Sequence, residues 1–215
     1  MLAVAGGKGG VGKTTTALGL ARALGRHGKA VLVVDIDCDM PNLLWMAGLR
    51  SDPTAQPNPP DGLAALAKGT PIERVRYSLP HQQGVSVVPT GAHPTEADVC
   101  GALDRLSEWD GPVILDCPAG AGRLATVPLR YADRTTLIST PCPASLSDAA
   151  KTAAMANELQ SDVVGAVLTH CDDPPSGVRR LLDCPVLTAI PKVAKPLESQ
   201  AVETAYERTR AAIYA

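Results

Sequence analysis

Phenylalanine is absent from this 215-residue chain, and aromatic residues make up only 3% of it. Without Phe the core must be Val, Leu, Ile and Ala, which suits buried parallel strands covered by helices. The same shortage argues against a stacking platform for unpaired bases. No apolar run approaches the roughly 18 residues that a membrane-spanning helix requires. A large charge excess is missing too, since 20 Lys+Arg face 22 Asp+Glu for a net −2. Bulk attraction to nucleic acid is thereby disfavoured, and only a local basic patch is left open. The six cysteines form no C-x-x-C pair, and no Cys/His set has zinc-finger spacing. They read as reduced thiols, most of them buried, in a cytoplasmic protein. The N-terminus lacks the basic and long apolar regions of a signal peptide. At 45% hydrophobic and 20% charged, the chain is not a disordered one.

The length suits one domain spanning residues 1–215. Residues 2–5 are apolar, and a glycine-rich stretch runs from Gly6 to Gly12. Ala17, Leu20, Ala21 and Leu24 then recur at helical spacing, and Gly28 closes the helix. Ala30 to Ile36, Val85 to Pro89, 113–116, Thr136 to Ser139, Val163 to Leu168 and Val186 to Ile190 read as strands. Between them lie helical patterns at Gly62–Lys68, Ile72–Tyr77, His93–Trp109, Ser145–Leu159, Val178–Leu182 and Pro196–Ile213. Thr95 is a candidate N-cap. The Pro-rich segment 51–61 is read as a surface loop, because the part before it is too short for its own core. Alternating strands and helices predict an α/β fold: a doubly wound, mainly parallel sheet of about seven strands with helices on both faces.

Gly7-Lys8-Gly9-Gly10-Val11-Gly12-Lys13-Thr14 fits two phosphate-binding patterns. One is the P-loop, G-x-x-x-x-G-K-[ST]; the other is the dinucleotide fingerprint, with Asp35 and Asp37 near the ribose-binding position. Glycines let backbone N–H groups approach the anion at a helix start. A P-loop also needs a lysine for the β- and γ-phosphates and a hydroxyl for Mg²⁺. Lys13 and Thr14 supply these. It further needs a second strand ending in Asp, and Asp116 after Val113-Ile114-Leu115 supplies that. A dinucleotide site needs none of the three, so the P-loop reading prevails.

Lys8 at the start of the loop, followed by Gly9-Gly10-Val11-Gly12-Lys13-Thr14-Thr15, resembles the deviant Walker A motif of the ParA/MinD ATPases. Asp35-Ile36-Asp37 resembles the family's switch I. Asp116-Cys117-Pro118-Ala119-Gly120 resembles its Walker B and switch II, in the form closest to MinD. Val88-Pro89-Thr90-Gly91, Ala132-Asp133, Thr140-Pro141 and Ile190-Pro191 match later stations in the right order. The resemblance implies ATP held by Gly7 through Thr15 and by Gly120, with Lys8, Lys13 and Asp37 catalytic. It implies Mg²⁺ held by Thr14, Asp37 and Asp116. It places Thr169, His170 and Pro191 on the base side. Two departures stand out. Thr169-His170 replaces the family's frequent Asn-Arg pair; Thr can still bond a base edge and the His ring can still stack. Cys142 stands where MinD-like members tend to carry Glu.

The resemblance also implies an ATP-gated homodimer in which Lys8 reaches the partner's phosphates. Slow hydrolysis stimulated by a protein partner is expected. The preferred role is spatial organisation or partitioning, as in cell division or the positioning of cargo or DNA. The alternatives are an ATP-dependent metal-cluster carrier or reductase, a small-molecule synthetase sharing the loop, and a non-hydrolysing regulator. No metal cluster is expected, since a late C-x-x-C is missing. Arg179, Arg180, Lys192 and Lys195 are the DNA candidates. The tail face of Val202, Ala205, Tyr206, Thr209 and Ile213 is expected to dock on the core, so a membrane tail is not evident.

Overall fold

A computed structural model describes residues 1–49 and 62–214. The proposed loop 51–61 lies outside the described residues. The strands are β1 (Leu2–Gly6), β2 (Val31–Asp35), β3 (Tyr77–Ser78), β4 (Val85–Val88), β5 (Val113–Ala119), β6 (Arg134–Ser139), β7 (Asp162–Thr169) and β8 (Val186–Ile190). The helices are α1 (Lys13–Arg26), α2 (Leu43–Met46), α3 (Leu63–Ala67), α4 (Ile72–Val75), α5 (Glu96–Leu106), α6 (Arg123–Tyr131), α7 (Pro143–Glu158), α8 (Val178–Leu182) and α9 (Gln200–Ile213). A 3-10 turn, Pro196–Glu198, precedes α9.

The strands form one sheet in the order β3-β4-β2-β5-β1-β6-β7-β8. All neighbours run parallel except β3, which is antiparallel to β4. The sheet therefore has eight strands where about seven were expected. The extra one is the two-residue β3, too short to leave an alternating pattern in sequence.

Side chains alternate between the two faces of the sheet, as strand geometry requires. Leu2, Val4, Val31 and Val33 pack with α1 and α9 on one face. Ala3, Ala5, Leu32 and Val34 pack with α3, α5 and α6 on the other. Leu137, Ala166 and Leu168 pack with α7 and α8. The helices thus cover both faces, as expected.

Local chemistry explains several boundaries. Thr95 caps α5 in a capping box, its Oγ1 accepting from the Asp98 amide while Asp98 accepts from the Thr95 amide. The helical pattern from Pro196 resolves into the 3-10 turn and α9, separated at Ser199. Val202, Ala205, Tyr206, Thr209 and Ile213 are the buried residues of α9, so this face docks on the core. None of the described helices is long and apolar enough to cross a membrane. Two helices were not anticipated. α2 is a single turn, and α6 carries Pro128 inside it, which reads as a breaker in sequence.

Candidate functional site

In an open parallel sheet, ligands sit outside the carboxyl ends of the strands where the strand order reverses. Here that position is the end of β1, the central strand between β5 and β6. The loop from Gly7 leads from β1 into the 14-residue α1. Gly12 caps α1 at φ 91°, a left-handed conformation that glycine adopts without strain, and no side chain caps the helix. Its first-turn amides stay available to an anion. At Gly7 a Cβ would lie 2.6 Å from the Cβ of Asp148 on α7, so only glycine lets the loop pass there. Space around Gly9 and Gly10 is open.

Lys13 is buried and its Nζ donates to the Lys8 carbonyl at 3.2 Å. The ammonium is thus folded onto its own loop. Lys8 itself is exposed on the outer side of the loop, and Val11 is buried beneath it. Thr14 and Thr15 are half-buried in the first turn of α1.

Asp35 and Asp116 are register partners on β2 and β5, each 1% exposed. Asp35 accepts the amides of Asp37 at 3.1 Å and Leu43 at 3.2 Å. Burial, and then the neighbouring Asp116, push its carboxyl well above the usual range, and the two amides oppose this. Neither Asp116 oxygen has a hydrogen-bond partner. Burial raises the Asp116 carboxyl to about 7, while the facing Thr14 hydroxyl and the Lys13 ammonium pull it down. A buried carboxylate without partners is costly unless a cation or donor completes it. Among the described residues, no three His, Cys, Asp or Glu side chains converge to hold a metal ion by themselves. The residues suit Mg²⁺, which typically uses one or two carboxylates, waters and substrate phosphates. Thr14, Asp116 and the half-buried Asp37 are the side chains able to hold it.

Asp37 lies just beyond β2, and its Oδ1 accepts the Met40 amide at 3.1 Å. Gly120, past β5, donates its amide to the Gly7 carbonyl at 3.1 Å and has φ 88°. The segment after β5 therefore rests on the loop that leads into α1.

Of the residues expected near the base, Thr169, His170 and Pro191 come together with Gly12 and Thr15 around a cavity of about 40 Å³. The Thr169 hydroxyl is committed elsewhere. It donates to the Val11 carbonyl at 2.7 Å, with a longer contact to the Ser139 carbonyl at 3.3 Å. Thr169 braces the loop from below, and its neighbour His170 is exposed. Sequence reasoning missed this brace, since Val11 lies 158 residues away. A larger hollow of about 640 Å³ lies beside β3 and contains none of the anticipated site residues.

All six cysteines are free thiols. Cys117, Cys171 and Cys184 are buried, Cys38 and Cys100 are half-buried, and Cys142 is exposed before α7. Burial, with help from Asp35, Asp37 and Asp39, pushes the Cys38 thiol up to about 12. Arg179, Arg180, Lys192 and Lys195 are exposed on and after α8 and β8, with Lys195 paired to Glu198 at 3.0 Å.

The sequence profile of the CobQ/CobB/MinD/ParA nucleotide binding domain matches residues 2–202. The chain belongs to this family. An uncharacterised ATP-binding protein of Methanocaldococcus jannaschii is 32% identical over 205 residues, covering 89% of this chain and 74% of that protein. An iron–sulfur cluster carrier protein of Methanococcus maripaludis is 31% identical over 183 residues, covering 77% of this chain and 58% of the carrier. The chain therefore spans little more than half of that relative. The septum site-determining protein MinD of Pyrococcus horikoshii, solved with Mg-ADP, superposes with a TM-score of 0.80 at 24% identity. That match covers 97% of this chain and 93% of the other, and the fold of this nucleotide-binding domain is shared with it.

Proposed function

We propose that residues 1–215 form one nucleotide-binding domain that hydrolyses ATP to ADP and phosphate with Mg²⁺. The observation that carries this reading is Asp116, buried and without partners beside Thr14 and Lys13. Such a carboxylate suits a cation shared with a triphosphate. The amides of Gly9 through Thr15 bind the phosphates, and the Lys13 ammonium leaves the Lys8 carbonyl to neutralise them. When bound, Mg²⁺ supplies positive charge to the β- and γ-phosphates. The Asp37 carboxylate orients the attacking water. The Gly120 amide exchanges the Gly7 carbonyl for the γ-phosphate, which makes switch II sensitive to hydrolysis. Pro191 and His170 flank the base.

Two chains sandwich two ATP molecules, each exposed Lys8 reaching its partner's phosphates as an arginine finger does. The dimer assembles with ATP and disperses after slow hydrolysis that a protein partner accelerates. Its role is spatial: to position a cargo, a division site or a replicon in the cytoplasm. Asp37→Ala tests this. Hydrolysis is expected to fall at least about tenfold, and light scattering with ATP should show the dimer accumulating. Hydrolysis at the wild-type rate, or a monomer with ATP bound, overturns the reading.

A second reading draws on the relatives named iron–sulfur cluster carriers. Anaerobic reconstitution with iron and sulfide separates the two. The spatial role predicts a colourless protein; visible absorbance with about one cluster per dimer favours the carrier.

A further inference from the structure

Three buried hydroxyls, on Ser139, Ser145 and Thr169, link the phosphate loop to the start of α7. Ser139 ends β6, Thr169 ends β7, and Ser145 is in the first turn of α7. The Ser139 hydroxyl donates to the Thr140 carbonyl at 2.9 Å and lies 2.8 Å from the Ser145 hydroxyl. The Ser145 oxygen accepts the Thr140 amide at 3.2 Å. A hydroxyl has one proton to give. Ser139 gives its own to Thr140, so Ser145 donates to Ser139. The two serines thus hold both backbone polar groups of Thr140 in one closed ring.

Cys142, which precedes α7, makes no capping bond through its side chain. The serine ring fastens the helix start in place of a cap. From it two lines of contact reach the loop. In one, the Ser139 carbonyl shares the Thr169 hydroxyl, at 3.3 Å, with the Val11 carbonyl, at 2.7 Å. In the other, Asp148 lies one turn beyond Ser145 on α7, against Gly7. A Cβ at Gly7 would stand 2.7 Å from the Asp148 carbonyl oxygen and 2.9 Å from its carbon. Backbone packed on backbone leaves little slack. Thr152 steadies that carbonyl by donating to it at 3.0 Å. One side chain, Ser145, therefore bears on both Gly7 and Val11.

We propose that Ser145 is a positioning residue for the phosphate loop. It holds the start of α7 to the end of β6, and so sets Gly7 through Asp148, and Val11 through Ser139 and Thr169. The inference rests on the reading of that loop as a nucleotide site, and names a residue outside the loop that governs it. Loss of the hydroxyl frees the Thr140 amide and lets α7 shift against Gly7. The loop amides then converge less well on the phosphates, and binding weakens although no contact to the ligand is removed. A second buried pair supplies the contrast. The Thr135 and Ser161 hydroxyls lie 2.7 Å apart at the amino end of β6, the far end from the loop.

Mg-ADP is titrated calorimetrically into the full chain and its variants, at a temperature where each is folded by circular dichroism. Ser145→Ala should weaken binding about five- to tenfold. Ser161→Ala should lower the denaturant midpoint comparably, yet bind Mg-ADP as the wild type does. When Ser145→Ala is combined with Thr169→Val, the loss should fall at least about twofold short of the product of the single losses, because both cut one chain of bonds. Undiminished affinity in Ser145→Ala overturns the inference. So do equal losses of affinity in Ser145→Ala and Ser161→Ala, or fully multiplicative losses in the double variant. If Ser145→Ala does not fold, Ser139→Ala replaces it with the same expectations. A wild-type chain that binds no Mg-ADP overturns the nucleotide reading itself, a result distinct from all of these.

Discussion

Asp35 and Asp116 sit opposite each other on adjacent strands, equally buried, yet only Asp35 is bonded. Two amides close around Asp35 and fix the loop from Asp37 to Leu43. Asp116 closes on nothing. Burial raises both carboxyls, so depth and charge do not separate them. Bonding does. A satisfied buried acid holds a loop in place. An unsatisfied one lowers the stability of the free protein and is completed only when a ligand arrives. The loops differ in the same sense. Switch I is tied by three side-chain bonds to its own amides. Switch II rests on one backbone bond, Gly120 to Gly7, and on an exposed pair, Arg123 with Glu96 at 3.5 Å.

The contrast breaks most sharply at Asp116. Asp116→Asn should lower ATP hydrolysis by about 100-fold or more, yet leave the melting temperature of the nucleotide-free protein equal or higher. A clear drop in that temperature would mean that Asp116 is structural after all. Asp35→Ala should do the reverse. It strands the buried Leu43 amide and the half-buried Asp37 amide, so denaturant unfolding should record a loss of roughly 1–4 kcal/mol. Unchanged stability would remove the distinction drawn here. Thr169→Val adds a third bonded group and a smaller effect. Stability should fall by about 1 kcal/mol, with ATP binding weakened a few-fold and both restored by Thr169→Ser. A base-reading Thr169 would instead lose ATP over GTP preference without losing stability. Arg123→Ala is the smallest change: its exposed pair should leave thermal unfolding unaltered.

Much of this was readable in advance because phosphate chemistry is local. Gly7 through Thr14 must be contiguous to wrap an anion, so the loop appears in sequence as a motif. The buried strands appear as apolar runs for a similar reason, and β8 and α8 fall on their expected residues. What sequence could not show was pairing across distance. Asp35 and Asp116 are the same residue type at the same depth, and the meeting of Asp35 with the Asp37 and Leu43 amides distinguishes them. Thr169 was expected on the base side, and its hydroxyl donates to the Val11 carbonyl, which lies 158 residues away in sequence. Pro128 concealed α6, because a proline near the middle of a short pattern resembles an ending.

The central strand is the first one made, and its two neighbours are β5 and β6. During synthesis, β1 therefore waits for residues up to Ser139 before it can be flanked on both sides. The loop after β1 gets its support as late or later, from Ile138 behind Gly6, Asp148 behind Gly7 and Thr169 beneath Val11. Non-local pairing of this kind folds slowly. A bound nucleotide would then stabilise only the completed domain. It would find no cradle on a half-made chain, and would add about 2.7 kcal/mol to the finished one at a hundredfold excess over its dissociation constant.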